Sequence, residues 1–68
     1  LQPIDISVGS ASISLTKAEL IVLKNSLNEV LNGIHLSEFQ TRLGVSREAA
    51  HELLTQIESL LDTMKRPG

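Results

Sequence analysis

Three asparagines, Asn25, Asn28 and Asn32, recur at three- and four-residue spacing, and Ile21 lies one turn earlier on the same line. On a helix that spacing sets side chains on one face. The result is a row of amides offering paired donors and acceptors beside an apolar residue. Asparagine is a poor interior helix former, costing roughly 0.5–0.7 kcal/mol against alanine. Two interior asparagines therefore cost on the order of 1 kcal/mol, a noticeable part of a small domain's stability. Two readings offset that cost. In one, Ile21, Asn25, Asn28 and Asn32 form a recognition face for a protein partner. In the other the amides serve the fold: Asn28 bonds a backbone group of the hairpin or second helix, and Asn32 helps the helix stop before Gly33.

The remaining chemically able residues are dispersed. His35 and His51 are the only imidazoles. His51 with Glu48 or Glu52 would make at most a weak surface metal site, far from the closed tetrahedral sets that hold zinc. The expectation is an exposed histidine on a polar helical face and no metal, with His35 belonging to a turn. No serine sits in a nucleophile elbow, and neither histidine has a residue placed to orient it as a base. Glycines occur singly, so no phosphate-cradling loop is expected. A chain this small also has little room for a preformed cavity. These features predict no enzymatic activity, no cofactor and no small-molecule substrate.

Positioning elements must be drawn from 68 residues, enough for a single domain spanning 1–68. The apolar fraction, 41%, is that of a globular fold, drawn almost wholly from Leu, Ile, Val and Ala, with Phe39 the only aromatic. There is no cysteine, so disulfides and thiolate metal sites are excluded. No apolar run approaches the ~18 residues of a membrane span, and no signal peptide is visible. A cytoplasmic location is the expectation. The chain opens at Leu1 rather than Met, as a trimmed piece of a somewhat longer protein would.

Residues 3–15, "PIDISVGSASISL", alternate apolar and polar on both sides of Gly9-Ser10. A two-residue Gly-X loop signals a type II′ hairpin. That turn would set Val8 against Ala11, Ile6 against Ile13 and Ile4 against Leu15, all on one face. A helix over about 17–32 follows, with Thr16 and Glu19 as a capping box and Leu15 and Leu20 as its staple. Its inward stripe is Leu20, Leu23, Leu27, Val30, Leu31 and Ile34. A short second helix over 38–43 is expected from a Ser37–Gln40 capping box, with Leu36, Phe39 and Leu43 inward and Gly44 as its stop. The third helix, 47–64, is capped by Ser46, with Val45 and Ala50 as a staple. Its inner face is expected to hold Ala50, Leu53, Leu54, Ile57, Leu60, Leu61 and Met64. Lys65 and Arg66 suit its negative end and Pro67 forbids continuation. The fold class is α+β: an N-terminal β-hairpin, one small sheet against an α-rich layer, and a helix-turn-helix-like corner.

"EFQTRLGVSREAAHELL" resembles the helix-turn-helix signature of DNA-binding proteins. Gly44 stands at the turn, Leu43 and Val45 flank it on the inside, Ser46 opens the recognition helix and Ala50 packs on the first helix. The resemblance implies Arg42, Ser46, Arg47 and His51 as DNA-contacting residues. The same corner also resembles the ubiquitin-associated type of three-helix domain, which implies an apolar docking surface at Leu43, Gly44 and Val45 with Leu60 and Leu61. "ELIVLKNSLNEVLNGI" is similar to a segment of short bacterial proteins of unknown function that continue into a like corner; it implies a bacterial source and no activity.

Charge weighs against DNA. Neutralising ~6–10 phosphates takes a comparable number of placed cations, and the whole chain has six, with a net charge of -2. From Ser46 to Met64, Arg47 stands alone against Glu48, Glu52, Glu58 and Asp62. The sequence reading is therefore a small protein-interaction module, regulatory, antitoxin-like or immunity-like. A homodimer joined through strand edges or leucine stripes is the expected way to complete a hairpin marginal on its own.

Overall fold

A computed structural model describes residues 1–33 and 35–65, with no side chain at residue 36. The expectations for Ile34, the Leu36 side chain, Arg66 and Pro67 lie outside the described residues. Two strands, β1 (Gln2–Ile6) and β2 (Ala11–Ser14), precede three helices, α1 (Lys17–Gly33), α2 (Leu36–Leu43) and α3 (Arg47–Met64). The architecture is α+β, an antiparallel two-strand hairpin followed by the helices. No helix among the described residues is long and apolar enough to cross a membrane.

Local chemistry forms the helix ends. The Thr16 amide donates to Glu19 Oε1 at 2.9 Å and the Glu19 amide donates to Thr16 Oγ1 at 3.1 Å, a complete capping box. Ser46 Oγ accepts from the Ala49 amide at 3.1 Å and so caps α3. Gly44 ends α2 in the left-handed region, φ 79°, its amide donating to the Gln40 carbonyl at 2.8 Å. The start of α2 departs from expectation. The helix begins at Leu36, with His35 in the N-cap position and no side-chain cap, so the Ser37–Gln40 box is not what opens it. The Glu38 amide already donates to the His35 carbonyl, which brings the first turn forward past Ser37.

The core is an antiparallel α1–α3 pair closed at one end by α2. Leu31, Phe39, Ala50 and Leu54 pack together there, joined by Leu27, Val30 and Leu43. At the other end Leu20, Ile57 and Leu61 pack with Leu15 and Leu27. Leu27 thus bridges both clusters, and Leu15 carries the staple on Leu20. Phe39 is the most deeply buried side chain, 1% exposed.

Not every expected core residue is inside. Leu23, Val45, Leu53, Leu60 and Met64 are each 40–54% exposed. The apolar stripe of α3 is wider than one antiparallel neighbour can cover. The row Ala50, Leu54, Ile57 and Leu61 meets α1, and the row beside it is left out. Val45 cannot close a staple because Ala50 carries too short a side chain to meet it.

The hairpin departs furthest from expectation. Ile6 pairs with Ala11 rather than Ile13, Asp5 with Ser12, Pro3 with Ile13 and Gln2 with Ser14, with a register slip between Pro3 and Asp5. Val8 and Ile4 therefore do not face Ala11 and Leu15. Ser7 is the reason. Its amide donates to the Ser10 carbonyl at 2.8 Å, and its hydroxyl accepts from the Ser10 amide at 3.2 Å. The connection is thus Ser7–Ser10, and Gly9 does not take the positive φ that a type II′ turn needs. The slip restores the alternation: Ile6, Ala11 and Ile13 still share one face, and Asp5, Ser12 and Ser14 the other. No helix covers either face, and every strand residue is exposed. Only Leu15 and Thr16 separate β2 from α1, too short a joint to fold the ribbon back over the helices. The radius of gyration, 13.7 Å, compares with about 11 Å for a compact chain of this length.

Candidate functional site

At 100° per residue, Asn28, Ile21, Asn32 and Asn25 fall within an arc of about 60° on α1, over a length of roughly 16 Å. Ile21, Asn25 and Asn32 are exposed and Asn28 is half-buried. None of the three amides hydrogen-bonds within the chain. The bond expected from Asn28 to the hairpin or second helix is not made, because the hairpin stands clear of α1.

Antiparallel packing gives this row its surroundings. Equivalent flanks of two antiparallel helices open on the same side. The amide flank of α1 therefore shares its side with the flank of α3 that carries His51, Glu58 and Asp62. The opposite side carries Leu23 from α1 and Leu53, Leu60 and Met64 from α3, with no charged α3 residue among them. The helix pair is polar on one side and apolar on the other. Sequence reasoning missed this division, although α3 announces it: its apolar residues occupy two adjacent rows.

The residues of the helix-turn-helix resemblance are brought to one corner, but most are engaged there. Ser46 is the α3 cap. The Arg47 guanidinium lies 5.8 Å from the centroid of the Phe39 ring, a cation–π distance. Arg42 lies 3.9 Å from Glu38, one turn earlier on α2, with both side chains exposed; such a pair is worth little. His51 is exposed and lines an open depression of about 460 Å³ with Arg47, Glu48, Glu52 and Thr55. Two carboxylates in that depression oppose an approaching phosphate.

A second, apolar depression of about 260 Å³ lies at the base of the hairpin, lined by Leu1, Leu15, Glu19, Val22 and Leu23. There the Leu1 amino group pairs with Glu19. That amine, followed by the Thr16 amide and hydroxyl, holds the Glu19 carboxyl below the usual carboxylate range. Among the described residues no three potential metal-ligating side chains converge.

No protein family, curated protein or solved structure matches the chain.

Proposed function

We propose that the chain is a small non-enzymatic protein-interaction module whose recognition surface is the α1 row Ile21, Asn25, Asn28 and Asn32. One observation carries the reading: three asparagines weaken the helix that holds them, and no amide has a partner inside the chain. A helix that spends stability on unbonded amides offers them outward, where a protein surface can take both donor and acceptor of each. The role is regulatory, antitoxin-like or immunity-like, in a bacterial cytoplasm. A net charge of -2 suits a cationic partner.

The second reading is a helix-turn-helix transcriptional regulator. The left-handed Gly44 and the Ser46 cap favour it, since they form the corner that motif needs. Arg47 lying against Phe39 and the acidic exposed face of α3 weigh against it.

Capture from native lysate, with and without nuclease, tests both, using the wild type and an Asn25→Ala, Asn32→Ala double variant. The expected result is a protein recovered equally in both wild-type arms and lost from the variant. The variant should melt no lower than the wild type, since alanine is the better helix former by roughly 0.5 kcal/mol per site. DNA recovered and then lost on nuclease treatment would establish the second reading. A partner held equally by the double variant would remove the amide row from the site.

A further inference from the structure

The apolar flank of the helix pair lacks the layer that a domain needs over such a face. Leu23 is 40% exposed, Leu53 48%, Leu60 54% and Met64 47%. Along α3, Ala50, Leu53, Ile57, Leu60 and Met64 stand at alternating three- and four-residue steps, the seam spacing of helices that pack against other helices. Ala50 and Ile57 are buried within the chain; Leu53, Leu60 and Met64 are the half of that seam with nothing on it.

Area and charge indicate what covers it. The chain exposes 5406 Å², where a compact monomer of 7.4 kDa exposes about 4,200 Å². The excess, about 1,200 Å², exceeds the roughly 800 Å² that each partner contributes to a standard interface. The anionic residues of α3 lie away from this flank, on the polar side and back of the helix. Two copies of an acidic chain can therefore meet here without opposing like charges. A neutral aliphatic face is also self-complementary under a two-fold axis.

We infer that a second copy of this chain covers the flank, the α1–α3 pairs of two protomers packing into a four-helix arrangement around Leu23, Leu53, Leu60 and Met64. The inference goes beyond the amide-row reading and does not rest on it. The amide row faces the other way and stays open in the dimer.

Mass against concentration, by light scattering or sedimentation from about 1 µM to 1 mM, tests it. The wild type should move from 7.4 kDa towards twice that mass. A Leu53→Glu, Leu60→Glu variant should remain monomeric throughout while keeping its helical circular dichroism. Ile6→Thr with Ile13→Thr in the hairpin should leave dimerisation unchanged, as should Asn25→Ala with Asn32→Ala. Should the glutamate variant fail to fold, cysteine placement decides, since the chain has no cysteine of its own. Leu60→Cys should oxidise to a covalent dimer and Glu52→Cys, on the back of α3, should not. A wild type monomeric at the highest concentration would overturn the inference. So would a dimer lost with the hairpin substitutions and retained by the glutamate variant, or equal crosslinking at both cysteine positions.

Discussion

The helical part of the chain and its hairpin draw on the same aliphatic residues and differ in what those residues meet. Helices α1, α2 and α3 bury Leu20, Leu31, Phe39, Ala50, Leu54, Ile57 and Leu61 in two adjoining clusters. The hairpin sorts Ile6, Ala11 and Ile13 onto one face and buries none of them. Alternation decides which side of a strand is apolar, but it does not supply the surface that apolar side needs. The helices find theirs because the Gly44 corner turns α3 back along α1. The hairpin has only Leu15 and Thr16 before α1 begins, and hydrophobic burial contributes nothing until a counterface exists. The same lesson holds within α3, where one apolar row is covered and its neighbour is not.

The sharpest way to break that contrast is to remove an anchor from each region. Phe39→Ala should cost about 3–5 kcal/mol, enough to unfold the helices of so small a domain or leave them only partly formed. Ile6→Ala, at a residue 72% exposed, should change stability by no more than about 0.5 kcal/mol. Thermal melts followed by helical circular dichroism read both. A large effect at Ile6 would mean that the hairpin does pack on something in solution.

Two glycines give a smaller contrast. A Cβ at Gly44 or at Gly9 would meet nothing within 4 Å, but only Gly44 has a positive φ. Gly44→Ala should therefore lower stability by about 1–2 kcal/mol through backbone conformation alone. Gly9→Ala should be neutral or stabilising by up to about 1 kcal/mol. A comparable loss at both positions would show that Gly9 takes the left-handed turn after all.

Acid should give the smallest effect, at the joint between the two regions. The Glu19 carboxyl is held below its ordinary range by the Leu1 amine and Thr16. Its stabilising contribution is therefore present above the unfolded-state pKa and is lost as pH falls through the lowered folded value. Acidification should loosen the start of α1 before it disturbs the Phe39 cluster, as read by amide hydrogen exchange of residues 17–20. In Glu19→Gln this local pH dependence should vanish.

The sequence by itself determined what depends on near neighbours along the chain. Capping needs only residues three apart, so the Thr16–Glu19 box and the Ser46 cap are legible, as are the Gly44 corner and the inward row of each long helix. The amide row of Asn25, Asn28 and Asn32 is equally plain as a pattern, since helical spacing alone places it on one face. Tertiary structure decided the rest. Whether Asn28 bonded inside depended on where the hairpin went, and that depended on a joint too short to fold back. The hairpin register turned on the Ser7–Ser10 hydrogen bonds, which compete with the Gly9-Ser10 turn and win by satisfying more polar groups. The fate of Leu23, Leu53, Leu60 and Met64 depended on how many helices surround α3. Periodicity marks an apolar stripe without counting its neighbours, because burial belongs to a pair of surfaces and the sequence pattern describes only one of them.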